Sequence, residues 1–278
     1  CRQRRKGVRT TLRKGESREI SYKSLSLKGF FVIGMIIISK NNPIVKELAS
    51  LKEKKGRRAC GTYLVEGEKM VRECLASGQH VKRLIVREDR VGEGYACETV
   101  TLGRDAFAAV CDAKNPQSVA AEVVLPDRGL APPEGPCILL DGVSDPANVG
   151  AVIRTAVAAG YRDLYCVDCA DPYSPKSVRA SMSGIFFANI MQGSREEVLG
   201  MLGGISVIAA DMGGENIFSF TPPKVFALAI GNEGNGLSAA VRERAAYTVS
   251  IPMGKHTESL NAAVAAGILM YLLKNKTV

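Results

Sequence analysis

Three stretches of the chain share one arrangement: an apolar run ends, a loop of Asn, Gly and acidic residues follows, and a helical pattern begins. The first is Asp141-Gly142-Val143-Ser144-Asp145-Pro146-Ala147-Asn148-Val149-Gly150, running on to Arg154. The second is Gly231-Asn232-Glu233-Gly234-Asn235-Gly236, entered from Val225-Phe226-Ala227-Leu228-Ala229-Ile230. The third runs from Pro252 to Asn261, is entered from Tyr247-Thr248-Val249-Ser250-Ile251, and closes on Glu258-Ser259-Leu260-Asn261. A Gly-rich backbone at a strand end lets amides approach a ligand closely. In an open α/β sheet, ligands sit outside the carboxyl ends of the strands. Any one of these loops alone reads as an ordinary turn, but three in one domain read as a cofactor site. The second loop has GxxGxG spacing rather than GxGxxG, and no Lys-Ser/Thr follows it. Neither a dinucleotide fingerprint nor a phosphate-binding P-loop is therefore supported.

The elements that must position these loops alternate along the chain. Strands are predicted at Cys137–Leu140, Asp163–Val167, Ile205–Ala209, Val225–Ile230 and Tyr247–Ile251. Helices are predicted at Val149–Ala159, from Pro175 to Met182, and at Arg195–Leu202, Leu237–Arg244 and Thr257–Leu273. This alternation implies a parallel sheet covered on both faces. Ahead of it, 126–136 holds three prolines in five residues and reads as a stiff linker. Residues 42–125 read as a compact αβ unit. Its first helix carries Ile44, Leu48 and Leu51 on one face, and strands follow at Thr62–Glu66, Val81–Val86, Ala96–Leu102 and Gln117–Leu125, with a helix from about Arg104 to Cys111. The cluster Lys52, Lys54, Lys55, Arg57 and Arg58 either complements a helix C-terminus or contacts phosphate.

With 278 residues, nearly half of them apolar, the chain is long enough for one large domain or two modest ones. Residues 1–34 hold ten Lys and Arg against two Glu, so +8 of the formal +9 lies there and the remainder is nearly neutral. The reading here is that Met35 is the natural start and 1–34 a basic non-core extension of upstream or appended sequence; the alternative is an RNA-binding arm. The apolar run Gly29–Ile38 is too short to span a bilayer, and no convincing signal cleavage site follows it. The absence of Trp argues against a binder driven by stacking on single strands. Eight scattered cysteines suggest no disulfide framework. Cys166-Val167-Asp168-Cys169 has metal or redox spacing but no second pair, and the chain has only His80 and His256, so buried thiols are expected rather than zinc.

Taken together, Asn148-Val149-Gly150-Ala151-Val152-Ile153-Arg154, Ile230-Gly231-Asn232-Glu233-Gly234-Asn235-Gly236-Leu237, Ile251-Pro252-Met253 and Ser259-Leu260-Asn261 resemble the three motifs of the SpoU (TrmH-type) RNA 2′-O-ribose methyltransferases of the SPOUT class. The resemblance covers 137–273. Residues 42–125 resemble the family's small L7Ae/L30e-like substrate-binding domain through Asn42-Pro43, Arg57, Leu64-Val65-Glu66-Gly67 and Pro116-Gln117; residues 1–34 match nothing in it. The domains expected are an extension over 1–34, an RNA-binding domain over 35–125, a linker over 126–136 and a methyltransferase domain over 137–278. The resemblance implies a trefoil-knotted α/β fold, a cytoplasmic homodimer with its site near the interface, no metal, and S-adenosylmethionine held in the knot. It implies structured RNA as substrate, ribosomal RNA first and tRNA as the alternative.

Carried over by motif, Gly231, Ile251, Met253 and Leu260 should hold the cofactor, with Ala209, Ala210 and Met212 lining the same pocket. Asn148, Arg154, Glu233, Ser259 and Asn261 should face the reacting ribose. Alignment is the main task, since a sulfonium methyl is already electrophilic, but the ribose hydroxyl must lose its proton as the methyl arrives. Arg154 is the family's proposed base, yet a guanidinium has a pKa above about 12. Either Arg154 relays the proton beside a phosphate, or it stays cationic and stabilises the alkoxide while Glu233 or water takes the proton. Glu233 also fits a helix-start acid, and Ser259 an N-cap of the last helix. His256 lies outside the motif pattern. Two rival readings stand beside this one: a non-catalytic RNA-binding dimer on the same fold, and an ordinary Rossmann nucleotide enzyme, against which the missing GxGxxG argues.

Overall fold

The structure, a computed structural model, describes residues 20–27, 30–90, 97–256 and 259–276. Residues 1–19 of the basic extension, Ala96 and Thr257, each assigned an element or role from sequence, lie outside the described residues.

The N-terminal unit contains β1 (Ile20–Leu27), β2 (Phe30–Ile37), α1 (Pro43–Ser50), α2 (Lys54–Cys60), β3 (Thr62–Glu66), α3 (Glu68–Ala76), β4 (Val81–Arg87), β5 (Thr99–Leu102), α4 (Arg104–Val110) and β6 (Val119–Val124). They form a mixed sheet in the order β1-β2-β5-β4-β6-β3. The sequence reading expected no strands before Thr62. In the structure β1 and β2 pair antiparallel, and β2 joins β5 at Ile36 and Ile37. The β-branched and aromatic run over 30–37 favours this extended state. Asn42 caps α1 by accepting from the Ile44 amide, and Pro43 stands at the first helical position, where no N–H is needed. One face of the sheet is sealed by Leu48, Leu51, Ile85, Leu102, Phe107 and Val110.

The C-terminal unit contains β7 (Cys137–Asp141), α5 (Pro146–Ala158), β8 (Asp163–Val167), α6 (Pro175–Ser181), β9 (Asn189–Gln192), α7 (Arg195–Met201), β10 (Ser206–Asn216), β11 (Phe226–Gly231), α8 (Ala239–Arg244), β12 (Ala245–Ser250) and α9 (Ala262–Asn275). Its six strands run parallel in the order β12-β10-β11-β7-β8-β9. Alternate residues serve opposite faces. Ile138, Leu140, Leu228 and Ile230 join the cluster under α5 and α9, whereas Cys137, Leu139, Ala227 and Ala229 join Val198, Leu202 and Val241 from α7 and α8. Burial on both faces is why these strands read as continuous apolar runs.

Several boundaries differ from the sequence reading. α5 begins at Pro146, capped by Asp145, so Asn148 lies in its first turn rather than in the preceding loop. β10 continues past Ala209 to Asn216 with a register shift against β12. α9 begins at Ala262 with Asn261, not Ser259, as its N-cap. The linker is strapped down along its length: Tyr165 Oη donates to the Ala131 carbonyl at 2.6 Å, Arg128 bonds Asn189, and the Glu134 amide donates to Asp163 at 3.2 Å.

The two units pack directly. Buried Arg57 donates to Asp171 through Nε at 3.1 Å and Nη2 at 2.5 Å, and to the Leu51 and Lys52 carbonyls through Nη1 at 2.8 Å. Tyr63 and Tyr173 place their ring centroids 5.1 Å apart. Gln79 donates to the Phe186 carbonyl at 2.9 Å, and Arg179 to Asp112 at 2.6 Å. At the far end Lys276 Nζ donates to the carbonyls of Ile217, Phe218 and Phe220 at 2.8, 2.9 and 2.7 Å. Among the described residues no helix is long and apolar enough to cross a membrane.

Candidate active site

The ends of β7 and β11 are neighbours in the sheet and β12 lies one strand further on, across β10, and side-chain bonds join the three loops that follow them. Local backbone demands shape each loop. Gly142 follows β7 with φ +78°, the left-handed region that favours glycine. Gly231 ends β11 where a Cβ would stand 2.3 Å from the carbonyl carbon of Gly236, so any side chain there would push the loop open. The loop closes on itself: Asn232 and Gly236 exchange amide-to-carbonyl bonds at 2.9 Å each way. The Asn232 side chain accepts from the Gly234 and Asn235 amides and donates to the Gly142 carbonyl at 2.8 Å. Asp141, buried at the end of β7, ties in two more elements by accepting from Arg195 and from the Ser238 amide at 2.7 Å. Sequence reasoning placed Asp141 only in a polar loop.

Glu233 reaches across to the first loop. Its Oε2 accepts from the Ser144 amide at 3.1 Å and hydroxyl at 2.9 Å, and its Oε1 accepts from the Asp145 amide at 3.2 Å and from Asn148 Nδ2 at 2.8 Å. Asn232 Nδ2 adds a longer bond to Oε2 at 3.5 Å, so donors engage both oxygens of the carboxylate fully. Partial burial pushes its pKa up, but the bonds from Asn148 and from the Ser144 and Asp145 amides prevail and hold it down at about 2. Asn148, itself buried, turns its Oδ1 to accept from Asn261 Nδ2 at 3.0 Å. Asn261 in turn accepts the Ala263 and Val264 amides at the start of α9. One hydrogen-bonded run therefore passes from the second loop through the first to the third.

Beside it, between the middle of β10, the end of β12 and the start of α9, an open apolar cavity of about 130 Å³ is lined by Ala210, Met212, Ile251, Met253, Ser259 and Leu260. Of the seven residues expected to hold the cofactor or line its pocket, Ala210, Met212, Ile251, Met253 and Leu260 are in this lining; Ala209 is buried instead in the cluster under α7 and α8, and Gly231 ends the strand that neighbours β10. Ser259, expected to face the ribose, lines this cavity instead. The cavity suits a molecule with a sizeable apolar part, and a side chain at residue 231 would displace the loop beside it, so the residues present fit S-adenosylmethionine. Asp211, also in the lining, is held by Arg242; no motif marks this pair.

Arg154 is not part of the run. It lies exposed on α5 and, among the described residues, pairs with no carboxylate; it lines a separate cavity with residues of α3. Gly184 presses on it closely enough that a Cβ there would meet the Arg154 Cα at 2.9 Å. Cys166 is buried at the end of β8, and Cys169 sits half-buried with its Sγ 3.3 Å from the Leu140 carbonyl oxygen and 3.2 Å from that of Val167. His256 stands in an exposed turn.

The chain resembles known proteins over both of its units. Residues 135–271 match the SpoU rRNA Methylase family, and residues 42–121 match the MRM3-like substrate binding domain. The 23S rRNA (guanosine(2553)-2′-O)-methyltransferase RlmP of Bacillus subtilis is 34% identical over 247 residues, covering 86% of this chain and 98% of that protein. The 23S rRNA (uridine(2479)-2′-O)-methyltransferase of Streptomyces viridochromogenes is 32% identical over 258 residues, covering 84% and 90%. Among solved structures, the SpoU methyltransferase AviRb from Streptomyces viridochromogenes in complex with AdoMet superposes with a TM-score of 0.77 at 28% identity, covering 84% of this chain and 98% of that one. The AdoMet-bound rRNA methyltransferase from Sinorhizobium meliloti does so with a TM-score of 0.78 at 28% identity, covering 86% and 97%.

Proposed function

The chain belongs to the SpoU rRNA methylase family, and from that premise we propose that it methylates a ribose 2′-hydroxyl in ribosomal RNA with S-adenosylmethionine as cofactor. The observation that carries this reading is the run from Glu233 through Asn148 to Asn261, set beside the apolar cavity between β10 and the end of β12. Bound S-adenosylmethionine supplies an electrophilic methyl on sulfonium. The walls at Ala210, Ile251, Met253 and Leu260 hold and orient it, Ser259 addresses it from the rim, and the loop at Gly231 brings backbone close to it. Asn148 and Asn261 position the acceptor ribose.

Glu233 is a fixed anion in this scheme rather than the proton acceptor. A carboxylate with a pKa near 2 and every lone pair engaged is a weak base at neutral pH. The Arg154 guanidinium stabilises the developing alkoxide and leaves the proton to water. Within one protomer Arg154 stands outside the run, so the reading includes a homodimer in which Arg154 of one copy completes the site of the other. It also includes a trefoil knot, supported by the strand order β12-β10-β11-β7-β8-β9 and by α9 returning against α5 and β11. Residues 35–125 serve as an L7Ae/L30e-like RNA-binding domain, 126–136 as a linker and 137–278 as the methyltransferase domain. Its setting is the cytoplasm, where RNA, S-adenosylmethionine and reduced thiols coexist.

Calorimetry with S-adenosylmethionine on wild type and on Leu260→Arg tests the cavity: saturable binding by the first and none by the second is expected. Methyl transfer to transcribed 23S rRNA should then leave alkali-resistant dinucleotides, the mark of a blocked 2′-hydroxyl. Label on tRNA alone would move the substrate class. A folded wild type that binds no S-adenosylmethionine, with or without RNA, would leave the non-catalytic RNA-binding dimer.

A further inference from the structure

A second cavity, of about 510 Å³, opens between the two units, where α3 faces α5 and the segment that follows α6. Its lining includes Lys69 and Glu73 from α3, Arg154 from α5, and Met182, Gly184 and Phe187. Three observations bear on this groove, which shares only Arg154 with the proposed methyl-transfer site. Phe187 is 54% exposed, while the two residues before it, Ile185 and Phe186, are buried in the core. The ring is held at the rim by its backbone, since the Phe187 amide donates to the Gly184 carbonyl at 3.0 Å and the Phe186 carbonyl is gripped by Gln79 of the other unit. Lys69 and Arg154 are exposed on the same lining and, among the described residues, neither pairs with a carboxylate; Glu73 is the lining's one acid. The turn that presents this rim is strained: Met182 has φ +48° and ψ −135°. Backbone in such a region persists only where packing over-determines it, which Gly184 against the Arg154 backbone supplies.

A flat aromatic face with two cations beside it, in a groove wide enough for a nucleoside, is the arrangement that takes an unstacked base and its phosphate. We propose that this groove is a substrate subsite in which an unpaired nucleotide flanking the methylated one stacks on Phe187, with its phosphate taken by Lys69 and Arg154. Both units contribute to it, so the N-terminal unit fixes which nucleotide is presented as well as adding affinity. The inference rests on the ribosomal RNA methyltransferase reading but uses none of the residues that line the cofactor cavity.

The chain has no Trp, so Phe187→Trp installs a single tryptophan at the rim, excited apart from the tyrosines at the long-wavelength edge of its absorption. Transcribed 23S rRNA should quench its emission saturably, and Lys69→Ala in that background should weaken the quenching. Phe187→Ala should raise KM for the RNA roughly tenfold, the size of one lost base–aromatic stack, with a smaller effect on kcat and no change in S-adenosylmethionine affinity. Phe187→Tyr should restore KM. An unquenched tryptophan, or a Phe187→Leu variant as good as wild type, would overturn the subsite. A change in oligomer mass on Phe187→Ala would overturn it too, because the groove would then be covered by a second copy of the chain. If wild type neither binds S-adenosylmethionine nor methylates RNA, the functional reading fails on its own, and the fluorescence titration still decides the groove.

Discussion

Asn148 is the residue on which the site turns. It donates to Glu233 and accepts from Asn261, and it is buried, so neither bond is readily replaced by water. Asn148→Ala should lower kcat about tenfold or more and cost roughly 1–2 kcal/mol of stability, because a partner on each side loses its bond; single-turnover methylation and urea unfolding check the two effects separately. The depressed pKa of Glu233 has a definite sign. A carboxylate whose folded pKa lies below its unfolded value contributes stability above the unfolded pKa, and that contribution is lost as pH falls from about 4.5 toward 2. Wild type should therefore lose more stability than Glu233→Gln across that window in an acid unfolding series. At pH 5 to 9 the carboxylate stays ionised, so the pH–rate profile of the wild type should show no rising limb from Glu233.

At the scale of elements, the crossing of α5 with α6 sets where Asn148 and Arg154 point. Gly150 makes this crossing possible: a Cβ there would stand 2.3 Å from the Ser177 carbonyl oxygen and 2.6 Å from the Ala180 Cβ. Gly150→Ala should cost about 3 kcal/mol, at the upper end for an overpacked site, and thermal unfolding of the variant measures it. Elements of this kind were legible from sequence where both faces are buried, as in β7, β8 and β11, whose apolar runs are unbroken. They were not legible where the pattern is short or polar. β9 is four residues with only Ile190 and Met191 between polar ends. The outer part of β10 holds Gly213-Gly214, which reads as a loop; in the structure Gly214 sits there because a Cβ would meet the Thr248 carbonyl carbon at 2.5 Å. The three loops could be found one by one from their composition. The bond between Asn148 and Asn261 spans 113 residues of sequence, and no local pattern encodes it. The family resemblance named Asn148, Glu233 and Asn261, which meet, and Arg154, which does not join them, whereas the order of donors and acceptors, and the place of Ser259 in the apolar cavity by β12, came only from the packed structure.

At the scale of the molecule, the two units share one apolar cluster, with Tyr63, Met70 and Val71 from the first and Val178, Ile185 and Phe186 from the second. Arg57 is the polar centre of this junction, with Asp171 and two carbonyls depending on it. Arg57→Ala should cost about 3–5 kcal/mol, the usual penalty for stranding one partner of a buried pair. It should also turn a single calorimetric transition into two, as the units cease to unfold together; a variant that keeps one unshifted transition would show that the shared cluster alone couples them. The grip of Lys276 on three carbonyls has a mechanical consequence. The end of α9 is pinned to the turn that follows β10, so a chain pulled by its carboxyl end in an optical trap should hold until that ammonium lets go, and Lys276→Met should yield at lower force with its enzymatic turnover intact.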